Sequence, residues 1–427
     1  MIQLFSRAFF SCAILITAVA QAQIVGAGRA VNPYRYSIRK LGEYAHGSVS
    51  CAHTLASETG IAIMRKGGNA FDAAVAVQLV LAVVFPDAGN IGGGGFLTAR
   101  QSNGKLLAID YREKAPANAS RDMYLDTEGN AQTTLSQNGH LASGVPGTVS
   151  GLFATLPYCK LSFKELIAPA IALAENGFCI TESEARSLNR TKAEFEKYNT
   201  ATADAFVRNE KWKAGDTLVQ KDLAETLKRI RDKGAAGFYE GKTAALIVAE
   251  MKRGKGLISL SDLKNYQAKE RTPLSFNYRG YKIVSFPPPS SGGILLEQML
   301  KMIAPFPMKD YGFQSVKSVQ LMIEAERRAF ADRAAYMGDP DFWKVPLKTL
   351  VSDAYLKKRM SDYDSTKATP GKDISEGIIH ESDETTHISI ADAEGNIVSV
   401  TTTLNGLYGS RVVVGGAGFL LNNEMDD

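Results

Sequence analysis

Two adjacent threonines, Thr385 and Thr386, open the alternating run "TTHISIAD". Threonine is common at the start of a strand, and for an arbitrary pair this structural interpretation is the default. A threonine hydroxyl can also be a nucleophile when a base takes its proton, and an N-terminal threonine can use its own α-amino group, which titrates near pH ~8. Thr385 is internal in the sequence, so this chemistry would require a cut after Glu384.

Other chemistries have less support. The sequence contains no G-x-S-x-G motif, so a serine hydrolase is not indicated. The glycine run "NIGGGGF" (90–96) lacks the Lys-Ser/Thr of a phosphate loop and predicts a backbone that packs closely against another segment. Cys51 and His53 have no second Cys/His pair to complete a metal site, and we expect no metal. Glu324 and Glu326 are interpreted as a solvated helix face.

Composition is ordinary for a globular protein: 427 residues, 45% hydrophobic and 22% charged. The net charge of +4 is too small and too dispersed to indicate nucleic-acid binding.

Residues 1–22 are typical of a secretory signal, because Arg7 precedes an apolar run that is too short to span a membrane. This segment predicts a periplasmic or extracellular protein. Three cysteines follow this segment and leave open one disulfide or none: Cys51, Cys159 and Cys179.

The periodicity predicts helices followed by a late set of antiparallel strands, which indicates a layered α+β enzyme. The late strands are a hairpin over 386–404 and two further strands at 410–414 and 418–422. Arg112 is expected to close a strand in "KLLAIDYRE". Helices are predicted at 55–85, with a break at Gly67-Gly68, and at 148–156, 162–176, 219–233, 240–253 and 315–337. Earlier strands are predicted at 96–100 and 105–113, and a strand pair is predicted within 275–293.

The segments "TTHISIADAEGNIVSVTTTLN" and "GFLLNNEMDD" closely resemble the γ-glutamyltransferase (γ-glutamyltranspeptidase) family of N-terminal nucleophile hydrolases. The resemblance extends from about residue 45 to the end. It includes six further blocks in the family's order: "GGNAFDAAVAV", "AGNIGGGGF", "IDYREKAP", "HLASGVPGTVSG", "PPPSSGG" and "YMGDPDF". It implies a four-layer αββα sandwich, incomplete at the C-terminus, and no cofactor.

The resemblance also implies residue roles. The precursor would cut itself between Glu384 and Thr385, giving a large-subunit part (23–384) and the start of a small catalytic subunit (385–427). Thr385 would be the nucleophile, Thr403 would orient it, and Thr386 would be structural. The substrate's α-carboxylate and α-amino groups would be bound by four residues: Arg112, Asn405, Glu424 and Asp427.

The implied function is an exported γ-glutamyl hydrolase/transferase. It would cleave glutathione and related γ-amides through a γ-glutamyl-threonine ester, with water, an amino acid or a peptide as acceptor. Two alternatives stay open: a related acylase of the cephalosporin type, and a catalytically dead, uncut binding protein. In the family the small subunit continues beyond "NNEMDD" to a Ser-Ser pair that binds the α-carboxylate and a Gly-Gly pair that forms the oxyanion hole. A chain ending at Asp427 is therefore expected to be truncated, poorly soluble and inactive. Ser290-Ser291 and Gly292-Gly293 belong to another block and do not replace those pairs.

Overall fold

The computed structural model of the protein describes residues 43–199, 205–374 and 385–426. The predicted signal segment 1–22 and two predicted site residues, Glu384 and Asp427, lie outside the described residues. Within the described ranges, no helix is both long and apolar enough to cross a membrane.

The largest sheet has six antiparallel strands in the spatial order β1–β9–β10–β2–β3–β6. Its strands are β1 (Gly47–Ser50), β2 (Gly94–Arg100), β3 (Leu106–Asp110), β6 (Lys269–Arg271), β9 (Thr385–Asp392) and β10 (Ile397–Thr403). Two small sheets pair β4 (Phe178–Cys179) with β5 (Thr217–Leu218), and β7 (Leu274–Tyr278) with β8 (Tyr281–Ser285). The predicted late hairpin is therefore β9 and β10, inside the main sheet rather than at its edge.

Helices surround this sheet. In chain order they are α1 (Thr54–Arg65), α2 (Ala70–Val84), α3 (Thr133–Gln137), α4 (Thr148–Thr155), α5 (Phe163–Asn176), α6 (Glu182–Tyr198), α7 (Lys221–Lys233), α8 (Ala236–Tyr239), α9 (Gly241–Gly254), α10 (Leu260–Asn265), α11 (Gly292–Ile303), α12 (Met308–Tyr311), α13 (Val316–Tyr336), α14 (Leu347–Leu350) and α15 (Asp353–Arg359). Short 3₁₀ turns span His140–Ala142, Leu156–Tyr158, Gly371–Asp373 and Glu424–Asp426. The predicted break at Gly67-Gly68 falls between α1 and α2.

Helix α2 is the centre of the core, because all of its residues are buried. It packs against β9 and β10. Asn69 caps its first turn, because its side-chain oxygen accepts from the amides of Phe71 and Asp72, while the Asp72 carboxylate accepts from the Asn69 amide. The Asp392 carboxylate at the end of β9 accepts from the Ala70 amide at 2.9 Å. The helix that supports the sheet is thus fixed directly to the strand that begins with Thr385.

Three local predictions were wrong. The segments 410–414 and 418–422 are not regular strands; they share one isolated bridge, Val413 to Leu420, because Tyr408, Gly409 and Arg411 have positive φ and cannot continue an extended chain. The second is the placement of Arg112, since β3 ends at Asp110 and the arginine follows in a loop.

The third wrong prediction concerns the face of α13. Glu324 is 1% exposed rather than solvated, and its carboxylate pairs with the equally buried Arg328 one turn later. Glu326 is exposed, as expected. A buried carboxylate of this kind is stable only with such a partner.

Candidate active site

The two predicted catalytic threonines face each other across the hairpin. β9 and β10 pair so that Thr385 and Thr403 are direct cross-strand partners. Since side chains alternate along a strand, Thr385 and His387 project from one face and Thr386 from the other. Thr385 and His387 are exposed, whereas Thr386 is 2% exposed. The alternation therefore makes only the first threonine of the pair accessible.

Asn90 connects the glycine run to the end of this hairpin. Its side-chain oxygen accepts from the Gly93 amide and the Thr148 hydroxyl, each at 2.8 Å. Its side-chain nitrogen donates to the carbonyl of Thr403 at 2.7 Å. Asn90 is 5% exposed, so these bonds are made away from water and hold the end of β10 firmly.

The glycine run itself is packed against β10 backbone. A Cβ at Gly93 would lie 2.1 Å from the carbonyl oxygen of Thr403, and one at Gly95 would lie 2.2 Å from that of Thr401. Side chains larger than hydrogen cannot fit there. The sequence-based interpretation of the run as closely packed backbone agrees with this geometry.

Arg112 and Glu424 form an ion pair although they come from distant parts of the chain. The guanidinium Nη2 lies 2.6 Å from Glu424 Oε1, and the two side chains are 27% and 12% exposed. The loop that carries Arg112 is held by Tyr266, whose hydroxyl donates to the Arg112 carbonyl at 2.6 Å. Burial raises the pKa of Tyr266 well above its ordinary value, so this hydroxyl stays a donor.

Asn405 takes a left-handed backbone conformation, with φ of 73°, immediately after β10. Its amide donates to the Thr403 hydroxyl oxygen at 2.8 Å, and its side-chain nitrogen donates to the Asn423 carbonyl at 3.2 Å. Asparagine tolerates this conformation better than most residues. The bend joins the end of β10 to the turn that carries Glu424.

Asn422 fixes this turn from within. It is fully buried and donates to the carbonyls of Gly92 and Gly144, while its oxygen accepts from the amides of Gly144 and Glu424. Helix α3 also holds the turn: the Ser136 hydroxyl donates to the Asp426 carboxylate, and the Gln137 side-chain nitrogen donates to the same carboxylate at 3.2 Å. The 422–426 turn is therefore held on both sides.

One cavity of about 1030 Å³ brings five of the predicted site residues together: Thr385, Thr403, Arg112, Asn405 and Glu424. Polar side chains of β9 and β10 continue its floor, including His387, whose Nδ1 lies 2.9 Å from the Thr401 hydroxyl oxygen. Lys114 also lines the cavity and lies over the Tyr266 ring at 5.1 Å. Partial desolvation, and then the neighbouring Lys269, lower the pKa of its ammonium group.

Within the described part of the chain, no group of three or more His, Cys, Asp or Glu residues is placed to hold a metal ion. Cys51, Cys159 and Cys179 are free thiols there. The side chains that line the cavity carry hydroxyls, carboxylates, two guanidinium groups, an ammonium group and an imidazole.

Asn90 and Asn422 were missed by the sequence reasoning. Both lie inside segments quoted for the family resemblance, "AGNIGGGGF" and "NNEMDD" with its preceding strand-like run. Each asparagine lies among glycines or apolar residues, which indicates a buried position. A buried polar side chain is normally hydrogen-bonded, so this pattern could have identified both residues as structural contacts of the site.

The chain is similar to known proteins in both sequence and fold. The gamma-glutamyltranspeptidase family model matches residues 56–427. The glutathione hydrolase proenzyme of Escherichia coli (strain K12) is 46% identical over 385 residues, covering 89% of this chain and 66% of that protein. The chain thus spans about two thirds of that relative's length.

Two solved structures have similar folds. The gamma-glutamyltranspeptidase of Helicobacter pylori superposes with a TM-score of 0.76 at 43% identity, covering 80% of this chain and 99% of that chain. The cephalosporin acylase of Bacillus halodurans gives a TM-score of 0.80 at 26% identity, covering 92% of this chain and 72% of that chain.

The fold is therefore the α+β fold of the N-terminal nucleophile hydrolases, as predicted, and its largest described sheet has six strands. The family match covers most of the chain, and the identity to relatives is far above the level at which only folds are shared. The chain belongs to the gamma-glutamyltranspeptidase family.

Proposed function

We propose that the protein is a γ-glutamyl hydrolase/transferase that uses Thr385 as its nucleophile. The observation that carries the proposal is the position of Thr385: it is the exposed first residue of β9, directly opposite Thr403, in one cavity with Arg112 and Glu424. Family membership supports the same reaction class.

In this proposal the chain first cuts itself. The Thr385 hydroxyl attacks the carbonyl carbon of Glu384, and the acyl group moves from the Thr385 nitrogen to its oxygen. Water then hydrolyses the resulting ester, which leaves a new carboxylate on Glu384 and a free amine on Thr385. The products are a large part, 23–384, and a small part that begins at residue 385.

The freed amine then serves as the base for the hydroxyl beside it, because an α-amino group titrates near pH ~8. The hydroxyl attacks the γ-carbonyl of the substrate, the leaving amine takes a proton, and a γ-glutamyl-threonine ester forms. Water or the amino group of an amino acid or peptide then releases the glutamyl group. Thr403 orients the nucleophile.

The substrate class follows from the charges at the end of the cavity. Arg112 suits the α-carboxylate of a γ-glutamyl group, since a guanidinium binds a carboxylate with two parallel hydrogen bonds. Glu424 and Asp427, with Asn405, suit the α-ammonium group. Glutathione and related γ-glutamyl compounds carry both groups. We also propose that residues 1–22 export the protein to the periplasm or the exterior.

A related acylase is the second candidate, because the cephalosporin acylase of B. halodurans has a similar fold. The two candidate enzymes differ in the chemical groups that their acyl donor must have. A γ-glutamyl enzyme needs the α-amino and α-carboxylate groups, whereas an acylase would also accept a glutaryl group that lacks the amine. A catalytically dead binding protein would remain uncut.

The test combines intact mass with two chromogenic donors. We expect the full-length protein to separate into two chains at the 384/385 bond and to hydrolyse a γ-glutamyl anilide much faster than a glutaryl anilide. Thr385→Ala should give one uncut, inactive chain, while Thr386→Ala should still be cut. An efficiently cut Thr385→Ala protein would overturn the assignment, and faster glutaryl hydrolysis would favour the acylase.

A further inference from the structure

The cavity is larger than the part that Arg112 lines. Arg112, Asn405 and Glu424 lie beyond the strand ends, where β10 finishes at Thr403. Other lining residues lie over the sheet itself. Phe286 packs on Phe96 with ring centroids 4.4 Å apart, and Phe96 is the cross-strand partner of Thr401.

This second group lies over β2 and β10, further along the strands than the nucleophile. Thr401 pairs with His387, two residues along β9 from Thr385, and two strand residues span about 6.6 Å. The loop that follows Phe286 therefore begins over β2 and β10, about two strand residues further along the sheet than the Thr385–Thr403 pair. At about 1030 Å³, the cavity is as large as those that hold entire small molecules rather than a single glutamyl group.

Arg333 supplies a positive charge to this part of the cavity, whose lining also includes Asp339. It lies in the last turn of α13 and lines the cavity, and its Nε donates to the Ser291 hydroxyl oxygen at 2.9 Å. Ser290 and Ser291 line the cavity beside it. An arginine whose Nε is held in this way has its guanidinium orientation fixed, so less side-chain entropy is lost when an anion binds.

We infer that Arg333, positioned by Ser291, binds a carboxylate carried by the leaving group or by the acceptor. The inference rests on the proposed function and names the chemistry of the other half of its substrate. A γ-amide such as glutathione has an α-carboxylate on the glutamyl side and a second carboxylate at the end of its leaving group. With Arg112 in the loop after β3 and Arg333 beside Ser291, the cavity has two guanidinium groups from separate elements and suits such a doubly anionic donor.

Lys114 is the competing cation, because it also lines the cavity. It follows Arg112 by two residues, on the loop after β3, and its ammonium lies over Tyr266. This places it with the Arg112 side of the site. A carboxylate bound by Lys114 instead of Arg333 would be a different arrangement, and substitution separates the two.

The experiment compares two γ-glutamyl anilides that differ only by a carboxylate on the anilide ring. In the unaltered protein we expect kcat/KM to be higher for the carboxylated donor. Arg333→Gln should lower the ratio of the two kcat/KM values about 10-fold, the loss of one charge-assisted hydrogen-bonding group, and leave the plain anilide nearly unaffected. Ser291→Ala should lower the ratio less, and Arg333→Lys should restore part of it. Lys317→Gln removes an exposed charge from the same helix and should change nothing.

A second arm identifies the source of the carboxylate. Transfer to glycylglycine is compared with transfer to its amide, and Arg333→Gln should reduce only the preference for the free carboxylate. An unchanged ratio in both arms, or a loss found in Lys114→Gln but not in Arg333→Gln, would overturn the inference while leaving the proposed function intact. A full-length protein that hydrolyses neither anilide would overturn the proposed function and this inference with it.

Discussion

Arg112 and Glu424 lie 2.6 Å apart, one in the loop after β3 and the other in the turn near the end of the described chain. If the protein is cut before Thr385, this ion pair joins the two products. It also sets the electrostatics of the proposed glutamyl-binding end, since a substrate carboxylate must share the guanidinium with Glu424. The loop and the turn are each held separately, by Tyr266 and by Asn422.

Arg112→Lys is expected to raise KM for γ-glutamyl donors about 10-fold while leaving self-cleavage intact, because lysine keeps the charge but loses the two parallel hydrogen bonds. Steady-state kinetics on a γ-glutamyl anilide measures this. Arg100→Lys, an exposed change at the end of β2, is the matched control and should leave KM unchanged. An Arg112→Lys protein with normal KM would contradict the binding role.

Thr386 and Thr402 form a matched pair for a stability test. They are cross-strand partners and both are buried, but only the Thr402 hydroxyl has hydrogen-bond partners among the described residues. It donates to the Gly94 carbonyl at 3.1 Å and accepts from the Asn90 side-chain nitrogen at 3.3 Å. Thr386→Val should therefore leave the free energy of unfolding unchanged or raise it by about 1 kcal/mol, whereas Thr402→Val should lower it by about 1 kcal/mol. Denaturant unfolding decides this, and equal losses in both variants would show that Thr386 also donates a bond.

Gly93→Ala is expected to destabilise the fold by about 3 kcal/mol, because the new methyl group would collide with the Thr403 carbonyl and push β10 away. Gly371→Ala is the control. Its Cβ would meet only the Arg327 guanidinium at 3.7 Å, so the free energy of unfolding should change by less than about 0.5 kcal/mol. A Gly93→Ala protein as stable as the control would mean that the glycine run is not tightly packed.

His53 should make the fold sensitive to mild acid. Burial lowers the pKa of His53 to about 4, and its Nε2 faces the Glu184 carboxylate at 3.5 Å. Burial likewise raises the pKa of Glu184, which indicates that the site disfavours either charge. The unfolded chain then binds a proton at His53 near pH ~6.5, well before the folded protein does.

Stability from this group is therefore complete above pH ~6.5 and is lost as pH falls toward the folded value, at about 1.4 kcal/mol per pH unit. His53→Asn keeps a cap for the first turn of α1, where the His53 Nδ1 accepts from the Leu55 amide, but removes the titration. We expect the unaltered protein to lose about 2 kcal/mol more than the variant between pH 6.5 and pH 5. Unfolding curves at both pH values measure this, and parallel losses would refute the assignment.

The sequence by itself determined the local features of the site. Alternation along β9 places Thr385 and Thr386 on opposite faces, because successive side chains of any strand point to opposite faces of the sheet. The glycine run and the break between α1 and α2 were also readable, because glycine acts through its own backbone. The family resemblance named the side chains that line the cavity.

Only the tertiary structure decided which distant groups meet. The pairing of Arg112 with Glu424, the bonds of Asn90 to Thr403 and the burial of Glu324 against Arg328 depend on how whole elements pack, and no local pattern encodes them. The same reason explains the error at 410–422. Its apolar residues favour strands locally, but left-handed residues at 408–411 turn the chain so that the segment follows the packing of its neighbours instead.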